Sequence, residues 1–187
     1  MKIIGIAGTN GSGKDSVGEM LAKQHNWLFV SVSDYLREEA KKRELPIERE
    51  VLRTISAEWR RQYGLGVLVD KAVEEFKNSG GKYQGLVVVP MRNPGEAQRV
   101  KDLGGRLVWV DADPKVRYER IHSRQRSAED KKTFEQFLKE EQDEMEHSGD
   151  QHTLSMAGVK AKADVFIDNN GNNLEEFAKT VKKTLGL

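Results

Sequence analysis

The chain has 187 residues, 37% of them hydrophobic and 33% charged, which suits one domain with a sizeable core and excludes a disordered chain. Its 31 basic and 30 acidic residues leave a net charge of +1, against the basic excess of a nucleic-acid or membrane-surface binder. Cysteine is absent, so there are no disulfides or thiolate metal sites, and a reducing cytoplasmic compartment is the expectation, for a monomer or small homo-oligomer.

"KIIGIAG" (2–8) reads as a buried strand rather than a signal peptide, because its apolar run breaks into glycines. A helix is predicted from Lys14 to about Gln24, with Val17, Met20 and Leu21 on one face. "WLFVSVS" (27–33) is the second strand, and "DYLREEAKKR" (34–43) a helix that ends before Pro46. Residues 47–78 give two more helices hinged at Gly64–Gly66. "GLVVVP" (85–90) is apolar throughout, as a central parallel strand is. "NPGEAQRVKDLG" (93–104) is a helix with Pro94 at its start, "RLVWVDA" (106–112) the fourth strand, and "DPKVRYERIHSR" (113–124) a helix capped by Asp113. "DVFIDNN" (164–170) is the fifth strand and "NLEEFAKTVKKTL" (173–185) the closing helix. This alternation predicts an α/β three-layer sandwich around a five-stranded parallel sheet. Two segments interrupt it: 46–78, and the highly charged 125–160, which reads as a solvated helix and, by its place between core elements, as a lid. No run approaches the ~20 apolar residues that span a bilayer.

Between the first strand and its helix stands "GTNGSGKDS" (8–16). Gly8, Gly13 and Lys14 meet the pattern G-x-x-x-x-G-K in the strand-to-helix context that pattern requires. Glycines there let backbone amides around Asn10, Gly11 and Ser12 point at phosphate oxygens, the helix end adds its dipole, and Lys14 reaches the terminal phosphates. The alternative is a plain Gly-rich turn. The residue after the lysine, normally a magnesium-binding hydroxyl, is Asp15; Asp15 and the neighbouring Ser16 are the candidate metal ligands, since Mg²⁺ prefers hard oxygens.

An acceptor site is expected at the carboxyl ends of the strands. Asp34 and Arg37, three apart, share a helix face after the second strand, and Arg92 directly follows the third. Two arginines converging from strand ends make a fork for a phosphate group; the competing reading is that Arg37 pairs on a solvated face.

The loop, "SDYLREEAKK" and "PMRNPGEAQ" resemble the corresponding segments of nucleoside monophosphate kinases, adenylate kinase in particular. "KAKADVFIDNNGNNLEEF" is similar to the end of dephospho-coenzyme A kinases. The resemblance implies a P-loop NTPase fold with ATP and Mg²⁺ as cofactors and a small phosphorylated acceptor. It divides the chain into a core (1–33, 80–124 and 161–187), an acceptor-binding insertion (34–78) and a lid (125–160). It also implies that Arg37 and Arg92 grip the acceptor's phosphate, that Arg120 and Arg124, with Arg117 and Arg126, supply lid charge, and that Asp34 is the base. The turn Asp168–Asn169–Asn170–Gly171 borders the donor base. One departure from such kinases is the absence of an acid near the end of the third strand, "LVVVPM", a charge that Asp15 or Asp34 can replace. A nucleotide-dependent switch or ATPase without small acceptor is the rival function, favoured by that missing acid. The histidines 25, 122, 147 and 152 show no metal-ligand spacing, and Trp27, Trp59 and Trp109 read as core.

Overall fold

A run of six residues without charge, Ile3 to Gly8, has no polar side chain to show to water, so the strand they form is covered on both sides. In the computed structural model, which describes residues 2–124, 132–146, 149–171 and 173–186, this strand is β1 (Lys2–Gly8). It sits at the centre of a five-stranded, all-parallel sheet of order β2-β3-β1-β4-β5, with β2 Trp27–Ser31, β3 Gly85–Val89, β4 Arg106–Asp111 and β5 Val165–Asp168. The chain builds β2 and β3 on one side of β1 and β4 and β5 on the other, which makes the carboxyl end of β1 the point where the winding reverses and ligands bind in such sheets.

The period-2 geometry of a strand divides the core in two. Ile4 and Ile6 of β1, with Val87, Val108 and Ile167, pack on α1 (Lys14–His25) and α9 (Leu174–Leu185) through Val17, Leu21, Phe177 and Val181. Ile3 and Ala7, with Leu86, Val88 and Trp109, face α2 (Val32–Lys42), α3 (Arg49–Tyr63), α4 (Val67–Asn78), α5 (Pro94–Asp102) and α8 (Met156–Ala161). The remaining helices are α6 (Pro114–Arg124) and α7 (Phe134–Glu146). At the sheet edge β5 alternates buried and exposed residues, leaving Phe166 in solvent. No helix among the described residues is long and apolar enough to cross a membrane.

Two departures from expectation bear on the site. The second strand stops at Ser31 and α2 begins at Val32, two residues early, because Val32, Leu36 and Ala40 recur at helical spacing and are all buried. Among its described residues the charged segment 125–160 holds α7 and all but the last residue of α8, and α7 is no plain solvated rod: the side chains of Glu141 and Glu144 are only 22% and 15% exposed.

Candidate active site

The loop joining β1 to α1 has the backbone its sequence demands. Gly8 has φ +152°, and a Cβ there would stand 2.1 Å from the Val110 carbonyl oxygen of β4. Gly13 has φ +93°, and a Cβ there would stand 2.4 Å from Asn169 Nδ2. Both positions therefore accept only glycine. Lys14 opens α1 and is buried, its Nζ 3.4 Å from the Thr9 carbonyl. The Ser12 hydroxyl is buried without a hydrogen-bond partner among the described residues. An orphaned hydroxyl, a buried ammonium and a helix N-terminus on one loop fit an anionic phosphate chain, so the residues present suit a nucleotide.

A cavity of about 440 Å³ opens over this loop, lined by Asn10, Gly11, Gly13, Lys14, Asp15 and Ser16 and closed by Arg120, Asn169, Gly171 and Phe177. Asn169, just after β5, donates from Nδ2 to the Ser12 carbonyl at 2.8 Å, and Arg120 Nη2 donates to the Gly171 carbonyl at 2.6 Å. Of the sequence-predicted donor residues, Asn10, Gly11, Gly13, Lys14, Asp15, Ser16, Arg120 and Asn169 thus line one space, whereas Gly8 and Ser12 belong to the loop without lining it. The Arg124 side chain, Arg126 and His147 lie outside the described residues. Asp15 and Ser16 are exposed to the cavity, and among the described residues no cluster of three or more His, Asp or Glu could hold a metal ion.

Arg117 serves differently. It is buried, donates from Nε to the Ala112 carbonyl at 2.7 Å and from Nη1 to the Asn10 carbonyl at 3.4 Å, and is bidentate to Glu141 of α7, with Nη2 at 2.7 Å from Oε1. It ties the phosphate loop to α7. Asp111, at the end of β4, anchors the same loop by accepting from Thr9 Oγ1 at 2.7 Å, and its other oxygen accepts from Trp109 Nε1 of its own strand at 3.2 Å.

A second cavity, about 760 Å³, lies at the ends of β2 and β3, bounded by Ser33, Arg37, Arg49, Arg53, Arg60, Pro90 and Arg92 among others. Arg37 and Arg92 are both among the lining residues. Asp34 is not: its carboxylate accepts from Arg37 Nη1 at 2.6 Å on the exposed face of α2 and is no part of the lining. Arg92 is aimed by Glu96, whose Oε2 accepts the backbone N–H of Arg92 at 2.8 Å and of Asn93 at 3.1 Å. The other oxygen of Glu96 accepts from Arg60 Nη2 at 2.6 Å and Nε at 3.0 Å; both side chains are buried, and Arg60 further donates to Ser56 Oγ and the His152 carbonyl.

Three arginines of this cavity converge on Glu144. Burial alone would push its carboxyl up, but the guanidinium groups of Arg92, Arg49 and Arg53 outweigh that and hold it below the ordinary carboxylate value. A small cavity bordered by Asn10, Arg49, Glu141 and Glu144 shares Asn10 with the loop cavity and Arg49 with the arginine-lined one, while the two larger cavities share no lining residue.

Sequence reasoning missed Arg49, Arg53, Arg60, Glu96, Glu141 and Glu144. A signal for the first three was present: positions 49, 53, 56 and 60 recur at i, i+4, i+7 and i+11, one helix face carrying three arginines and a serine. The acids carried none, since charges in an acidic run look alike until their partners are known.

The family profile described as AAA domain matches residues 4–148. A UPF0200 protein of Pyrococcus abyssi is 30% identical over 96% of this chain and 93% of its own length. Another, of Sulfurisphaera tokodaii, is 30% identical over 99% and 96%. Among solved structures, shikimate kinase from Bacteroides thetaiotaomicron superposes with a TM-score of 0.59 at 14% identity, covering 100% of this chain and 99% of that one. Shikimate kinase from Acinetobacter baumannii in complex with shikimate gives 0.55 at 15%, covering 99% and 93%. At such identities the likeness shows the fold, a P-loop kinase-like α/β sandwich, in agreement with the sheet order and the loop. The extent of the sequence matches places the chain in the AAA domain family and among the UPF0200 proteins.

Proposed function

We propose that the chain is an ATP- and Mg²⁺-dependent phosphotransferase acting on a small phosphorylated, nucleoside-type acceptor, in the manner of nucleoside monophosphate kinases. The observation that supports this most is the pair of cavities, one lined by the phosphate loop and one by Arg37 and Arg92, each sharing a residue with a small cavity bordered by Asn10 and Arg49. In this reading residues 34–78 hold the acceptor, the segment 125–160 acts through α7 as a lid, and the rest is the catalytic core.

Bound ATP with magnesium supplies the phosphoryl group and part of its charge neutralisation. The chain's own residues position and polarise. Lys14 and the amides of residues 10–13 bind the polyphosphate, Asn169 borders the donor base, and Asp15 and Ser16 offer oxygens to the metal. Arg37 and Arg92 orient the acceptor, with Asp34 holding Arg37 rather than abstracting a proton. Arg120 and Arg124 offset negative charge as it moves, and α7 keeps out the water that would otherwise hydrolyse the donor.

The test is ADP release from magnesium-ATP with nucleoside monophosphates, their deoxy forms, dephospho-coenzyme A and shikimate as acceptors. A phosphorylated nucleoside-type compound is expected to raise ADP release above the basal rate, with dephospho-coenzyme A marking the related branch. Hydrolysis indifferent to every acceptor would reject the reading in favour of a nucleotide switch, which the acid-free end of β3 otherwise supports. In the same assay Asp15→Ala is expected to raise the half-saturating magnesium concentration about 10-fold. An unchanged magnesium dependence would remove Asp15 from the metal shell.

A further inference from the structure

The strap 150–155, between α7 and α8, has no regular structure of its own and is held by side chains of the acceptor half. Asn93, which is buried, donates from Nδ2 to the Gln151 carbonyl at 2.9 Å and the Thr153 carbonyl at 2.6 Å. Arg60 Nη1 donates to the His152 carbonyl between them at 2.8 Å, and the Ser155 N–H donates to the Arg92 carbonyl at 2.9 Å. Three successive carbonyls therefore each meet a donor. Outside, Asp150 turns the chain by accepting from the His152 N–H at 2.8 Å and pairs with Arg61 at 2.7 Å. The side chain that this strap delivers inward is Leu154, buried in the same apolar cluster as Val32 and Leu36.

Leu154 stands between two spaces. With Val32, Leu36 and Leu52 it lines the 760 Å³ cavity, and it also lines a neighbouring cavity of about 530 Å³. Among the described residues it is the one apolar side chain that borders both. The hydroxyls of Thr54, Ser56 and Thr153 in the larger wall donate to the carbonyls of Glu50, Arg53 and Asp150, and the described wall holds no amide or aromatic side chain. Such a wall has few groups that read the hydrogen-bonding edge of a base, so it selects by volume.

We propose that Leu154 is a specificity-determining residue of the acceptor site, closing it against bulkier acceptors, and that Asn93 is the positioning residue that sets it there through the strap. The proposal takes the 760 Å³ cavity for the acceptor's and so rests on the phosphotransferase reading above. Shortening Leu154 joins this cavity to its 530 Å³ neighbour and lets a larger acceptor extend into it. Asn93→Asp keeps the oxygen that accepts from the Gly95 N–H but sets the other against two carbonyls, which loosens the strap and displaces Leu154 without altering it.

CMP and AMP are the probes, with ADP release from magnesium-ATP as the readout. They carry the same ribose phosphate and differ in the bulk of the base, so contacts to the phosphate, those of Arg92 included, cancel in the ratio of their kcat/KM. Leu154→Ala is expected to move that ratio about tenfold toward AMP, and Asn93→Asp to move it the same way with Leu154 intact. A ratio that stays within about twofold of the parent's, or moves the other way, in either variant would overturn the proposal and leave the phosphotransferase reading standing. ADP release that neither monophosphate raises in the parent chain overturns it as well, and the reading falls with it only if every other acceptor named above also fails. Should Leu154→Ala fold poorly, thiol labelling decides the matter. The chain has no cysteine, so Leu154→Cys supplies its sole thiol. Iodoacetamide is expected to alkylate that thiol about tenfold faster once Asn93→Asp is added, and equal rates would overturn the hold of Asn93 on Leu154.

Discussion

Replacing Lys14 by alanine is expected to lower turnover about 10²–10³-fold, the range for losing one preorganised charge, equivalent to roughly 3–4 kcal/mol of transition-state stabilisation. The amine is buried at the start of α1, its Nζ 3.4 Å from the Thr9 carbonyl of the loop. Steady-state ADP release and a thermal melt, run on the same preparation, separate the two effects: the rate falls while the melting temperature stays within a few degrees. Turnover within a factor of three of the parent chain would remove Lys14, and with it the loop, from the chemistry.

Glu96→Ala is expected to be the most damaging single change to stability. It strands the buried Arg60 guanidinium and releases the two backbone amides that aim Arg92, and breaking such a pair from one side costs about 3–5 kcal/mol. For a chain of this size the melting temperature should fall by roughly 6–20 °C. Replacing both partners with apolar residues, Arg60→Met with Glu96→Leu, should recover a large part of that loss, because no uncompensated charge remains. Urea denaturation of these two variants beside the parent chain tests both expectations. A loss below about 1 kcal/mol for Glu96→Ala would show that the guanidinium is served by Ser56 and the His152 carbonyl alone. Any activity that survives in the double variant reports how far Arg92 depends on Glu96 for its direction.

What the sequence could disclose follows the range of the physics involved. Gly8, Gly13 and Lys14 answer to local backbone geometry within seven residues, so the spacing of the motif was enough to locate the loop, and strand–helix alternation was enough for the sheet. Arg92 was legible because it comes shortly after β3, and strand ends gather at one edge; Arg37 lies inside α2 and was reached through its helix spacing from Asp34. Asp34 was legible only in part: its place after β2 was right, but its side chain pairs with Arg37 in solvent instead of entering the cavity. The start of α2 was misplaced because Val32 suits a strand by propensity and was claimed by helical burial with Leu36 and Ala40. Glu141 and Glu144 escaped altogether, since an acid in the run "FLKEEQDEMEH" is distinguished only by partners such as Arg117 or Arg53, 24 and 91 positions away.

Arg117 and α7 together give the molecule a property that neither cavity has alone. Glu141 and Glu144 lie three residues apart on one helix; the first is clasped through Arg117 to the Asn10 carbonyl of the nucleotide loop, the second to the arginines of the neighbouring cavity. A helix held at both points is expected to couple the two spaces, and measuring the affinity for a guest of one cavity with and without a guest in the other tests it. Thermodynamic reciprocity then fixes the arithmetic: whatever factor one guest imposes on the other's equilibrium affinity is returned unchanged, whichever arrives first.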